Sequence, residues 1–160
     1  MKASLSILLT AAAVAASLAG AAPAQAEDAC AGEPGGGGVK LNVDTSGLRD
    51  ADGLVAVTVY PDDPDRFLAP GGKLLRVRTK AIRPTTRACF WLPPGHYAVA
   101  IYHDENGNRS FDRDPMGRPA EGYGFSNDAP ARMGLPEYDA VRFRVSSSGS
   151  TIRIRMTYLK

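Results

Sequence analysis

Beyond residue 38 the chain repeatedly alternates apolar and polar residues with a period of two. That period marks strands with one face buried and the other wet. Val39, Leu41 and Val43 alternate with Lys40, Asn42 and Asp44, and Val55, Val57 and Val59 alternate with Ala56, Thr58 and Tyr60. Leu75 and Val77 alternate with Arg76 and Arg78, and Val141, Phe143 and Val145 with Arg142 and Arg144. Residues 89–92 form a short apolar run that stops at Pro93-Pro94-Gly95, a turn whose φ angles are largely preset. The strand after it, residues 97–103, is apolar on both faces and is therefore expected at the centre of a sheet. A turn over residues 146–150 leads to a last strand carrying Ile152, Ile154, Met156 and Tyr158. Seven such strands, broken by Gly, Pro, Asn and Asp clusters, predict an all-β fold, a seven-stranded antiparallel Ig-like sandwich. Only a helical turn near residues 64–68 interrupts the pattern. Residues 104–139 carry neither period and read as one long loop, and loops of that length in compact domains are usually functional.

The first residues follow a different logic. Met1-Lys2, an apolar run over residues 5–22 and the small-residue ending Ala24-Gln25-Ala26 predict a secretory signal peptide, residues 1–26. A retained membrane anchor is the alternative, opposed by Gly20 and Pro23. Lipid attachment at Cys30 is not expected, because Glu27-Asp28-Ala29 precedes it. Residues 27–38, with four consecutive glycines, form a flexible leader, and residues 39–160 form the sandwich domain. The expected location is thus exported, periplasmic or secreted. Nothing in the mature chain is expected to insert into a membrane.

Export places the two cysteines, Cys30 and Cys89, in an oxidising compartment, where an even count predicts one disulfide. Two buried free thiols are the alternative. The formal net charge is +2, and removing the single Lys of residues 1–26 leaves about +1. So balanced a chain gives no electrostatic footprint for nucleic acid. A cell-envelope component or another protein is the expected kind of partner.

Candidate chemistry concentrates in residues 104–114. Calcium takes six to eight oxygen ligands, and a short loop supplies them from Asp and Asn at alternate positions. Asp104, Asn106, Asn108, Ser110 and Asp112 fall on that alternation, with Asp114 completing the shell and Phe111 as an apolar anchor. Two positions depart from the helix-loop-helix version of such a site. Arg109 stands where the sharp turn needs Gly, and Pro115 stands where a bidentate Glu belongs. The expectation is therefore a sandwich-type calcium loop, or else a solvated turn whose carboxylates are neutralised by Arg109 and Arg113. Catalytic signatures are sparse: two histidines, His96 and His103, and no nucleophile elbow, zinc-type His pair or phosphate-binding Gly loop. The expectation is a non-enzymatic module. The rival reading is an envelope hydrolase acting on polysaccharide or peptide through Asp104, Asp112 and His103. In residues 121–127, Tyr123, Phe125 and Asn127 form a candidate ligand loop, unless the aromatic rings simply fold back on the core.

Three segments resemble one family. Leu92-Pro93-Pro94-Gly95, the run from Tyr97 through Asp104-Glu105-Asn106-Gly107-Asn108, and Glu121-Gly122-Tyr123-Gly124-Phe125-Ser126-Asn127 are similar to the bacterial domain-of-unknown-function family 2141. The resemblance spans most of the chain from Val39 to Tyr158 and implies an exported sandwich domain with no assigned activity. The family pattern favours Gly where this chain has Arg109. The Leu-Pro-Pro-Gly turn also resembles transthyretin-like and collagen-adhesin B-type modules, which implies a binding or structural role by analogy.

Overall fold

In a computed structural model, residues 30–131 and 135–159 are described; the expected signal peptide lies outside them. The strands are β1 (Val39–Ser46), β2 (Leu54–Pro61), β3 (Leu75–Lys80), β4 (Thr85–Leu92), β5 (Gly95–Asp104), β6 (Tyr123–Phe125), β7 (Phe143–Val145) and β8 (Ser150–Arg155). One helical turn, α1 (Tyr138–Val141), precedes β7. The fold is all-β and two-layered. A three-stranded sheet runs β4-β1-β8, and a five-stranded sheet runs β3-β2-β5-β6, with β7 also paired to β5. Strands β6 and β7 share one edge of β5, β7 opposite Gly95 to Tyr97 and β6 opposite Ala100 to Tyr102.

Two expectations change here. The described residues contain eight strands rather than seven, and one sheet is mixed, because β8 runs parallel to β1 with Leu41 opposite Ser150. β7 and β8 do not form a hairpin. The turn between them passes Gly149 at φ +86°, where a Cβ would lie 2.7 Å from the Lys40 carbonyl oxygen, so the chain can cross tightly to the other sheet. The long loop also shortens, since β6, a 3-10 turn (Ser126–Asp128) and α1 all form within it.

The layers meet through the alternating residues that the sequence marks. Leu41, Val43, Phe90, Leu92 and Ile154 from the smaller sheet pack on Val55, Val57, Val59, Val99 and Ile101 from the larger one. Each of these is at most 2% exposed. Burying a side chain of this size contributes about 1.5–3 kcal/mol. Cys30 and Cys89 form a disulfide, which ties the start of the leader beside β4. Ala31 extends the contact, donating its N–H to the Cys89 carbonyl at 3.0 Å and accepting from Trp91 N–H at 2.8 Å. Closing a loop of 59 residues is worth about 4 kcal/mol in the chain-entropy account. Among the described residues no helix is long and apolar enough to cross a membrane.

Candidate functional site

The site lies on the outer face of the five-stranded sheet. Strand alternation sends Tyr97, Val99, Ile101 and His103 of β5 inward, and Ala98, Ala100, Tyr102 and Asp104 outward. Asp104 closes β5 and opens the acidic loop, and it is 0% exposed. Its Oδ2 accepts the Arg109 N–H at 2.9 Å. Arg109 sits at φ +66°, the left-handed conformation expected of Gly. The Arg109 carbonyl is held in turn by Arg78 Nη2 at 3.0 Å and the Tyr102 hydroxyl at 3.3 Å. Hydrogen bonds on both sides thus keep a non-glycine residue in this turn.

Two further turns follow the alternation. Asn106 Oδ1 accepts Asn108 N–H at 3.0 Å, and Asn108 Oδ1 accepts Ser110 N–H at 2.7 Å. The amide groups of Asn106 and Asn108 donate to the Asp112 carboxylate at 2.8–3.0 Å. Glu121, which the sequence reading left out, completes the group. It is 5% exposed, with Oε1 accepting Glu105 N–H at 3.2 Å and Oε2 accepting Asp112 N–H at 3.1 Å. Burial, and then the neighbouring charges of Asp112 and Asp104, push its carboxyl above the usual range, against the pull of the two N–H donors. No local spacing flags Glu121, because it enters from just before β6.

The expected ligand set is therefore only partly assembled. Asp104, Asn106, Asn108 and Asp112 gather with Glu121, whereas Ser110 joins through its backbone N–H alone. Asp114 belongs to a separate turn, its Oδ1 accepting Met116 and Arg118 N–H at 2.9 Å and its Oδ2 meeting Arg118 Nε at 2.8 Å. Among the described residues, no three His, Cys, Asp or Glu side chains already converge as a metal centre. One atom of the group stands out. Asp104 Oδ1 is buried and has no hydrogen-bond partner among the described residues. Leaving a buried acceptor unpaired costs about 1–3 kcal/mol, and more when it is charged.

His103 does not share this site. It is 0% exposed and faces inward, where Nε2 donates to the Asp52 carbonyl at 2.7 Å and Nδ1 meets the Tyr158 hydroxyl at 2.7 Å. Two carboxylates also approach the ring, Glu105 Oε1 at 3.5 Å from Nδ1 and Asp50 Oδ1 at 3.7 Å from Nε2. His103 thus points to the opposite side of the sheet from Asp104.

Beside the loop lies a cavity of about 300 Å³, lined by Tyr60, Arg76, Tyr102, Phe111, Arg113, Tyr123 and Phe125 among others. The rings meet in sequence in tilted and edge-to-face contacts, Tyr102 to Phe111 at 5.5 Å, Phe111 to Tyr123 at 6.2 Å and Tyr123 to Phe125 at 6.0 Å. Phe111 comes from the acidic loop itself, so the loop supplies one wall. Tyr123 and Phe125 line this cavity, and both also fold back on the outer face, where Phe125 is 7% exposed among Tyr60, Ala98 and Val141. Asn127 does not line it: at φ +62°, its amide donates to the Ala140 and Arg142 carbonyls at 3.0 and 3.1 Å. It clips the turn before β7 onto the sheet. The sequence also gave no sign of Ser126, whose buried hydroxyl accepts Val99 N–H at 3.0 Å and donates to the Val141 carbonyl.

Fold and site together define a two-sheet β protein with an acidic loop folded against an aromatic, arginine-lined cavity. The chain belongs to the family described as uncharacterized proteins conserved in bacteria (DUF2141), whose profile matches residues 43–153. Comparison with curated proteins and with solved structures returns no match.

Proposed function

We propose that this chain is an exported, non-catalytic binding module of the cell envelope, of Ig-like or transthyretin-like character, whose acidic loop is stabilised by calcium. Asp104, Asn106, Asn108, Asp112 and Glu121 supply the oxygens, and Asp114 does not take part. The observation that carries this reading is Asp104 Oδ1, a buried carboxylate oxygen without a donor among the described residues. Its neighbours Asp112 and Glu121 are also acids, and a divalent cation would offset both their repulsion and the missing hydrogen bond. The donor set contains only oxygen, which suits calcium over zinc or copper. Ligation would draw Asp112 from the amide donors that now hold it, so the ion would tighten the loop. The complete burial of His103 supports a role without catalysis, and the disulfide is compatible with export.

Thermal melting in calcium, in chelator and in magnesium tests the reading. With free calcium about a hundredfold above Kd, the stability gain is about 2.7 kcal/mol. Glu121→Gln should remove most of that gain, and Asp114→Asn should leave it intact. Coincident curves in the three conditions would reduce the loop to a self-sealed turn. The reverse ranking of the two variants would refute this ligand set.

A further inference from the structure

We propose that the outer-face cavity binds a small molecule with a flat apolar body and one anionic end, a carboxylate or a sulfonate. This names the ligand class of the binding module above, and it does not depend on calcium. Tyr60, Tyr102, Phe111 and Tyr123 furnish ring surfaces that suit a flat body. The charge comes from Arg76 and Arg113, which line the same cavity. Neither forms an ion pair among the described residues, because the nearby acids are engaged elsewhere. Asp62 pairs with Arg142, Asp114 with Arg118, and Asp112 accepts the loop amides.

Both guanidiniums are held in place while keeping donors to spare. Arg76 Nε donates to Thr58 Oγ1 at 2.7 Å, and its guanidinium lies 6.0 Å from the centre of the Tyr102 ring. Arg113 Nη1 donates to the Gly117 carbonyl at 2.8 Å, and its guanidinium lies 5.2 Å from the centre of the Phe111 ring. Each group carries five N–H donors, so most remain for a ligand, in a fork that matches a carboxylate or sulfonate. The volume of about 300 Å³ is at the small end for ligand sites, which favours one or two fused rings over an oligosaccharide or peptide.

The test uses two fluorescent probes, 1-anilinonaphthalene-8-sulfonate and N-phenyl-1-naphthylamine, which has the same ring framework without the sulfonate. The purified protein should bind the anionic probe at one saturable site, about tenfold or more tighter than the neutral one. Arg76→Gln and Arg113→Gln should each weaken the anionic probe about tenfold while the neutral probe binds as before and the circular-dichroism spectrum stays that of the folded protein. Ala100→Trp, which places a ring in the cavity, should abolish binding of both probes. Equal affinity for the two probes, indifference to both Arg→Gln changes, or undiminished binding by a folded Ala100→Trp protein would overturn the proposal. Titrations in calcium and in chelator keep the two readings apart. Loss of the anionic preference in both buffers defeats the ligand class, whereas absence of a calcium-dependent melting shift bears only on the cation.

Discussion

At the end of β5, His103 and Asp104 are neighbours in the chain, both fully buried, and they meet opposite fates. His103 enters the space between the sheets and finds a partner for each ring nitrogen. Asp104 enters the outer layer and keeps one oxygen without a donor. The contrast extends along the sheet. Its inner face is aliphatic, built from Val55, Val57, Val59, Val99 and Ile101 against Leu41, Val43 and Phe90. Its outer face is aromatic and charged, with Tyr60, Phe125, Ala98 and Val141 as a small second core under Phe67, Tyr123 and Tyr138. Area removed from water holds the inner face, whereas rings, arginines and carboxylates arranged by returning loops hold the outer one. The inner side is not free of unpaired groups, since Thr45 Oγ1 is also buried without a partner among the described residues. The cavity, however, belongs to the outer face, and a cavity is what recognition requires.

The largest expected effect tests whether the inner face carries the stability. Phe90 is 0% exposed, and Phe90→Ala should cost about 3–5 kcal/mol in urea denaturation. Tyr123 is half-buried in the outer layer, and Tyr123→Ala should cost about 1–2 kcal/mol through lost ring contacts with Phe111 and Phe125. Comparable losses would erase the distinction between the two faces.

A second pair of substitutions should shift stability in opposite directions. His103→Leu removes the donor to the Asp52 carbonyl and the ring nitrogen that meets the Tyr158 hydroxyl, which keeps Arg49 N–H, and should cost about 1–3 kcal/mol. Asp104→Asn keeps an acceptor for Arg109 N–H while removing a buried charge that lacks a second partner. In chelator it should gain about 1 kcal/mol, and its response to calcium should disappear. Denaturation midpoints of the two variants with and without the ion decide the matter. A destabilised Asp104→Asn protein in chelator would mean that the carboxylate is content as it stands.

The inner face was legible because alternation is a local signal. Val39, Leu41 and Val43, and then Val55, Val57 and Val59, announce their buried side by period alone, and the paired cysteines announced the bridge. The oxygen-bearing side chains of the loop were also visible, since Asp104, Asn106, Asn108, Ser110 and Asp112 fall at alternate positions. What escaped depends on contacts between distant segments. β6 reads as loop because Gly122 and Gly124 interrupt it, yet both glycines answer to the C-terminal segment. A Cβ at Gly122 would meet the Tyr158 ring at 2.3 Å, and one at Gly124 would lie 2.7 Å from the Arg155 carbonyl oxygen. β8 follows β7 across a short turn, yet its partner β1 lies at the other end of the chain, a pairing that no local pattern marks. Asp114 looked like a ligand by spacing until Arg118 and its own turn claimed it. The cavity draws its walls from β2, β3, β5, β6 and the loop, so no stretch of sequence contains it.

The smallest effect lies at the far end of the outer face and is read through pH. Asp62, just beyond β2, accepts Arg142 Nε and Nη2 at 2.7 and 2.8 Å, and the Tyr138 hydroxyl at 3.0 Å. This clamp fastens the segment before β7 to the end of β2. The Arg142 guanidinium, helped by the Tyr138 hydroxyl, holds the Asp62 carboxyl down at about 2. In the unfolded chain an aspartate titrates near 3.9. The folded form therefore binds its proton less readily, and the stabilisation is fully present above about pH 4–5 and lost as pH falls toward about 2. Asp62→Asn removes this dependence, so the difference in stability between the wild type and the variant should shrink across that window. Because the pair is exposed, the difference should be modest and should diminish in concentrated salt. Chemical denaturation of both proteins from pH 5 down to pH 2 measures it. Curves that run parallel throughout would show that Arg142 and Asp62 merely meet in solvent, and that the outer face is held at this end by the packing of Phe67 on Tyr138, 5.8 Å between ring centres, alone.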